Sequence, residues 1–340
     1  MEIVENPWRG QGLPEEVLSG APWPRVDAAA VQGLLARCPA AAETPLVGFG
    51  PDLWVKDERG RMGLGSFKAL GAAYVIACDA SATGAQDMAR ALEGRAYVTA
   101  SAGNHGLSVA AGAGVFGARA VVYLAETVPE SFAERLRDKG AEVVREGADY
   151  AASMAAAEAA AGAGAGTLLS DSSWPGYMDV PHRLMEGYLA MATEIAAQAD
   201  APFDVIALQA GVGGMAAAVA AHLRAVWGDG PRIVVVEPAF APALIESVRA
   251  GRPVETEGPV SAMGRLDCKA PSLIALKGLA RDADAFVTVT EEEVADVLPP
   301  LAARGLATTE SGAAGVAALR AMGLGKGTRA LAVLSEEAEG

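Results

Sequence analysis

Cysteine is scarce in this 340-residue chain. The three that occur, Cys38, Cys78 and Cys268, are too few and too far apart for a disulfide framework or a metal-binding pair. That usage points to a reducing, cytoplasmic setting. Basic charge is also short. Twenty-seven Lys and Arg against 42 Asp and Glu leave a formal net charge of −15, which argues against nucleic acid or an anionic membrane as a partner. No uninterrupted apolar run is long enough to suggest a membrane span. The opening MEIVENPWRG lacks a basic region followed by an apolar stretch, so no secretory leader is expected. No solenoid-type repeat is present.

What the chain does have is apolar residues in quantity, 51% against 20% charged. That is enough for a large core, and the length suits two intimately packed domains. Short β-rich runs alternate with longer Ala-rich helical runs. AYVTAS, ARAVVYLAE, AEVVREG and TLLSD form one series; DVIALQAG, RIVVVEP, AFVTVT and RALAVLSEE form another. Buried parallel strands read as continuous apolar runs, each needing a crossover helix. The pattern is therefore α/β with open parallel sheets. AAAEAAAGAGAG reads as a helix fraying into a Gly-rich loop.

Two glycine-rich turns stand between a strand and a helix: TASAGNHG, Thr99–Gly106, and QAGVGGMAAA, Gln209–Ala218. Ligands in open α/β sheets bind beyond the carboxyl ends of strands, and free N–H groups at a helix start favour phosphate. GVGGM lacks both the Lys-Ser/Thr of a P-loop and the spacing of a dinucleotide fingerprint. A small monophosphate fits better than a nucleotide, and a nicotinamide oxidoreductase is disfavoured. A third feature is Lys68, the lone charge in GLGSFKALGAAY, Gly63–Tyr74. Such a lysine either snorkels to water or is a desolvated amine of lowered pKa, ready to form a Schiff base.

Lys68, SAGNHG and GVGGM, in this order and at these separations, resemble the fold type II pyridoxal-phosphate enzymes, the group of threonine dehydratase and the tryptophan synthase β chain. The run VKDERGRMGLGSFKALGAAY, Val55–Tyr74, is similar to the lysine segment of diaminopropionate ammonia-lyases. ETPL (Glu43–Leu46), DSSWPGY (Asp171–Tyr177), MEGY (Met185–Tyr188), VEP (Val236–Pro238), ESGAAG (Glu310–Gly315) and LSEE (Leu334–Glu337) extend the likeness over nearly the whole chain. The resemblance implies two open, mostly parallel twisted sheets flanked by helices, with the active site between domains. Residues 1–74 and 183–340 would form the large domain and 75–182 the small one.

It further implies pyridoxal 5′-phosphate as cofactor, a small amino acid as substrate and a homodimer. Lys68 would carry the Schiff base, desolvated by its apolar neighbours, and Phe67 would wall the ring. Asn104 would meet the ring 3′-oxygen, and Gly211, Val212, Gly213, Gly214 and Met215 would cradle the phosphate. Ser335 would face the pyridine nitrogen, where a hydroxyl leaves the ring a weaker electron sink and favours β-elimination over transamination. Ser101, Ala102, Gly103 and His105 would belong to the loop holding the substrate carboxylate, His105 supporting the loop rather than serving as a base. Lys68 would take the Cα proton. Asp171 would be the acid that helps the β-substituent leave, or else a helix N-cap.

Two departures from the family pattern bear on substrate. Ala102 stands where the family's loop has an aspartate, so no second base faces D-configured substrates. In MGRLDCKAP, Met263–Pro271, Lys269 and Ala270 replace Gly-Glu, with Arg265 and Asp267 adding charge. This either places Lys269 at the substrate or is surface variation. Cys268 reads as packing. The expected reaction is β-elimination on a small L-amino acid to pyruvate and ammonia, of the diaminopropionate ammonia-lyase kind. The rivals are a serine/threonine-type dehydratase, elimination or replacement of a larger or anionic β-substituent, and a cofactor-binding protein without turnover.

Overall fold

The computed structural model describes residues 1–338. Its eleven strands are β1 (Glu2–Glu5), β2 (Leu46–Gly48), β3 (Leu53–Asp57), β4 (Ala96–Ala100), β5 (Arg119–Leu124), β6 (Glu142–Arg145), β7 (Thr167–Leu168), β8 (Val205–Gln209), β9 (Arg232–Pro238), β10 (Ala285–Val289) and β11 (Ala330–Leu334). They form a seven-stranded sheet, order β1-β10-β9-β8-β11-β3-β2, and a four-stranded sheet, order β6-β5-β4-β7. The smaller sheet is parallel throughout. The larger is parallel except for its edge strands β1 and β2. Strands β4, β8, β10 and β11 are buried at every position, as continuous apolar runs between helical layers require.

All eight strands expected from the apolar runs are present. The three not anticipated, β1 to β3, lie outside the βα rhythm. Edge strand β1 sets only two aliphatic residues between Glu2 and Glu5, and β3 carries Lys56 and Asp57, so neither reads as an apolar run. The Ala-rich segment is a helix, Tyr150–Gly162, whose first turn is capped by Asp149 accepting from the Ala152 N–H at 2.9 Å.

Strand order reverses between β8 and β11 in the large sheet and between β4 and β7 in the small one. Crevices open at such switch points. The turn after β8 is Ala210–Gly213, and Ser335 follows β11; Ser101–Gly103 follows β4, and Asp171 lies three residues beyond β7. The topology therefore sends the candidate segments of both sheets to carboxyl-end crevices.

Lys68 opens the helix Lys68–Ala82, which lies tightly against the helix Asp179–Gly187. A Cβ at Gly187 would stand 2.5 Å from the Leu70 carbonyl oxygen, so the two backbones touch only because that side chain is missing. The approach to Lys68 is held by a buried ion network. Lys56 Nζ lies 2.6 Å from both Glu194 and the Thr44 carbonyl. Arg61 bonds Glu58 and Glu194 at 2.7 Å, and Thr44 Oγ1 donates to Glu58 at 2.5 Å. Burial works against the Lys56 ammonium and lowers its pKa despite Glu194. With every charge answered, the network fixes the loop that delivers Lys68.

Candidate active site

Lys68 points across the cleft to Asp171, and their charged ends form an ion pair, each side chain about a fifth exposed. The Phe67 ring centroid lies 5.3 Å from Lys68 Nζ and 5.1 Å from the Tyr188 ring centroid. Burial would depress the Lys68 pKa, but Asp171 outweighs it and the amine is held above its ordinary value. The same pairing overcomes burial at Asp171 and holds its carboxyl below the usual range. The expected neutral, lowered amine is therefore corrected: in the free protein Lys68 is an ammonium, because the partner carboxylate is nearer than any apolar neighbourhood is thick. Asp171 is not a helix N-cap; its side chain is committed to Lys68, and the helix that follows begins only at Asp179.

The glycine loop lies beside this pair. Gly213 has φ +95° and caps the helix Gly214–Trp227. The N–H groups of Gly214, Met215 and Ala216 have no acceptor within that helix, as in any first turn. A Cβ at Gly214 would sit 3.4 Å from Met185, 3.8 Å from Tyr188 and 3.9 Å from the Asp171 carbonyl oxygen. One at Gly211 would sit 2.9 Å from Cys268 Sγ and 3.1 Å from the Arg265 carbonyl. Val212 is tied down through its carbonyl, which accepts from the Ser272 N–H at 3.0 Å. Ser335 is buried, and its carbonyl accepts from the Phe67 N–H at 3.1 Å, joining the end of β11 to the lysine segment.

In the loop after β4, Ser101 Oγ accepts from the N–H groups of Gly103 (3.2 Å) and Gly106 (3.1 Å). Its hydroxyl braces the turn rather than standing free for a substrate. The N–H groups of Ala102, Asn104 and His105 have no acceptor among the described residues, so the anion-binding capacity of the loop lies with them. His105 Nε2–H donates to the Leu169 carbonyl at 2.8 Å, tying this loop to the end of β7, and burial lowers its pKa. A neutral imidazole so placed is a brace. Arg265 covers Gly103: its Cδ and Nε stand 3.2 and 3.4 Å from where a Cβ would be. Lys269 is a correction. Its ammonium is taken up by the carbonyls of Phe240 (2.7 Å) and Pro259 (3.0 Å) and by Asp267 (2.6 Å), so all three donors are spent on protein acceptors in the loops either side of the helix Ala243–Ala250.

Two side chains within the quoted motifs went unassigned from sequence. Tyr188, from MEGY, is buried with its hydroxyl unpartnered, and burial beside Asp171 pushes it up to about 12 even though the Lys68 charge pulls the other way. Glu336, from LSEE, accepts from Asn104 Nδ2 at 2.5 Å. The thiol of Cys268 is likewise pushed up to about 12, chiefly by burial, which makes it inert packing.

Two mostly parallel sheets meeting at a cleft, with a lysine facing a glycine-rich helix start, define a fold type II pyridoxal-phosphate enzyme. The chain belongs to the family of pyridoxal-phosphate dependent enzymes, whose family model matches residues 38–336. It is 30% identical to the diaminopropionate ammonia-lyase of Salmonella typhimurium over 75% of this chain and 70% of that one. Identity to the Escherichia coli diaminopropionate ammonia-lyase is 29% over 71% of this chain, which spans 64% of that relative's length. Identity to the L-threonine ammonia-lyase of Thermotoga maritima is 28%, over 79% of this chain and 63% of the relative. The structure of Escherichia coli diaminopropionate ammonia lyase in complex with D-serine superposes with TM-score 0.86 at 25% identity, covering 99% of this chain and 93% of that one. Tomato (Solanum lycopersicum) threonine deaminase isoform 2 shares the fold, with TM-score 0.79 at 20% identity over 99% of this chain and 94% of its own.

The cofactor is pyridoxal 5′-phosphate, and the cleft fits it. The loop has bare glycines where a side chain would crowd Cys268 and Arg265, a helix start offers unanswered N–H groups, and a buried phenol lacks a partner.

Proposed function

We propose that this protein is an ammonia-lyase that carries out β-elimination on a small L-amino acid, with 2,3-diaminopropionate as the first substrate to test and pyruvate and ammonia as products. The observation that carries the reading is the Lys68–Asp171 ion pair set against the Gly211–Met215 cradle. Bound there, the cofactor would join Lys68 through a Schiff base and supply the electron sink for carbanion chemistry. Gly214 and Met215 would hold its phosphate, Phe67 would line its ring, and Asn104 and Ser335 would approach its polar edge.

The chain's own groups then divide the proton work. As an ammonium, Lys68 cannot accept a proton. With the cofactor bound, Lys68 would be the neutral amine placed to take the proton from the substrate Cα. Asp171 meanwhile has lost the cation that held its pKa down. Without that cation burial would push the carboxyl up, and Asp171 is the group placed to deliver a proton to the departing β-amine. The free N–H groups of Ala102, Asn104 and His105 hold the substrate carboxylate at a helix start.

Serine/threonine dehydration is the second reading. It is favoured by Ala102, because elimination from L-substrates needs no acid at that position. We also propose a cytoplasmic homodimer, with the small domain spanning residues 75–182 between the two parts of the large one. Sedimentation of the purified protein tests the dimer.

The function is tested by measuring pyruvate and ammonia from L-2,3-diaminopropionate, L-serine and L-threonine with the cofactor-loaded protein. Lys68→Ala is the control, and borohydride followed by peptide mapping locates the cofactor. Fastest turnover of diaminopropionate, lost in the control, is the expected result. Faster turnover of serine or threonine selects the second reading. A PLP-loaded protein with no turnover of any of the three, or with the cofactor attached elsewhere, overturns the proposal.

A further inference from the structure

Glu336 is 3% exposed and carries a carboxylate that none of the assignments above uses. Its surroundings join three separate segments. Its backbone bridges Ser66, two residues before Lys68, and the neighbouring Glu337 N–H donates to the Gly65 carbonyl at 2.9 Å. Its carbonyl accepts from Thr308 Oγ1 at 2.5 Å. One carboxylate oxygen accepts from Thr309 Oγ1, at the start of the helix Glu310–Ala321; the other accepts from Asn104 Nδ2 at 2.5 Å and lies 3.9 Å from Arg265 Nε. Asn104 belongs to the small sheet's loop and Glu336 to the end of β11, so this bond crosses the cleft.

A side-chain amide is nearly symmetric in shape and can turn over, exchanging a donor for an acceptor. A carboxylate only accepts. Opposite Glu336, the Asn104 NH₂ must therefore face the carboxylate, which uses one N–H and leaves the second for the cleft. A ring oxygen bearing negative charge needs that N–H; the turned amide would present an oxygen to it instead. We propose that Glu336 is the positioning residue that sets the Asn104 amide toward the 3′-oxygen of pyridoxal phosphate. Thr309 fixes the carboxylate, and the Ser66 bridge keeps it in register with Lys68. This rests on the reading of Asn104 as the ring-oxygen contact.

The test titrates apoprotein with pyridoxal phosphate and follows both affinity and the visible absorption band across pH. The variants are Glu336→Met, Glu336→Gln, Asn104→Ala and the Glu336→Met/Asn104→Ala pair. Glu336→Met should weaken cofactor binding about tenfold, the scale of one well-placed hydrogen bond, and move the band toward that of Asn104→Ala. Glu336→Gln, whose own amide can turn over and no longer dictates which face Asn104 presents, should fall between the parent and Glu336→Met. The double variant should be no worse than Asn104→Ala. Glu336→Asp withdraws the carboxylate from Asn104 while keeping its charge, and carries the same test should the Met variant not fold. A normal band and affinity in Glu336→Met, or an effect that adds to Asn104→Ala, overturns the proposal. If Asn104→Ala itself changes neither, the Asn104 reading fails, and Lys68 attachment is unaffected.

Discussion

The Lys68–Asp171 pair makes the free protein's stability depend on pH in a direction that a single substitution should reverse. Asp171 is held below the ordinary carboxylate range, so its contribution is complete above about pH 4 and is lost as pH falls. Lys68 is held above the ordinary amine range, so its contribution is complete below about pH 10 and is lost as pH rises past it. Between those limits the pair adds no slope. In Lys68→Met the buried carboxyl keeps its desolvation and loses its cation, so its folded pKa rises. Apoprotein stability should then decline as pH rises from about 4, by at most about 1.4 kcal/mol per unit. Denaturant melts at several pH values read this directly, and Lys68→Met/Asp171→Asn should remove the slope. An unchanged slope in Lys68→Met would mean the pair is absent in solution. Ala102 supports a second expectation. With no carboxylate in ASAGNHG and His105 bound to Leu169, this loop supplies no base on the face opposite Lys68. A general base contributes on the order of 10²–10⁴ in rate, so L-substrates should be strongly preferred and Ala102→Asp should raise D-activity. Comparable turnover of both enantiomers by the unmodified protein, with racemase excluded, contradicts this.

At the scale of elements, the strand runs and glycine turns were legible because each obeys a local rule: continuous apolar stretches for buried parallel strands, small residues where a strand meets a helix. What sequence could not show is direction. The notion that Lys269 reaches the substrate failed because its ammonium finds three acceptors nearby, two in its own loop and one at Phe240, before the helix Ala243–Ala250. Glu336 and Tyr188 went unassigned because their importance comes from partners 232 positions away or from having none. The glycine loop gives a sharper case. Sequence alone makes Gly213→Asp the natural way to block phosphate. Yet Gly213 sits at φ +95°, and its Cβ would press Ala275, Leu244 and Leu279 at 3.1–3.3 Å, away from the cleft. That change would bury a carboxylate among aliphatics and damage the fold. Gly214, the first helical residue, instead directs a Cβ toward Tyr188 and Asp171 at ordinary contact distance. Gly214→Asp keeps a residue favoured in a helix first turn and sets its charge against the phosphate. Apoprotein melting should change little while cofactor affinity falls at least tenfold. A normal titration curve for Gly214→Asp would place the phosphate elsewhere.

For the molecule as a whole, the question is whether the two sheets unfold together. One apolar cluster joins Tyr97 and Val122 of the small sheet, Leu70 and Ile76 of the lysine helix, and Ile206 and Val235 of the large sheet. The ties across the cleft are polar: Lys68–Asp171 and Asn104–Glu336. A shared core argues for one cooperative transition, since neither sheet can expose its half without exposing the other. The polar ties argue that the cleft is where cofactor binding is felt, because the cradle and Lys68 belong to the large sheet's side and Asn104 and Asp171 follow strands of the small one. A ligand that binds only the folded state stabilises it by about 2.7 kcal/mol at a hundred times its dissociation constant. The melting temperature should therefore rise by several degrees on cofactor loading, with a single transition before and after. Gly214→Asp should keep the single apoprotein transition and lose the rise. Two separated transitions in the apoprotein, merging only when cofactor is added, would show that the apolar cluster does not couple the sheets and that the bound cofactor does.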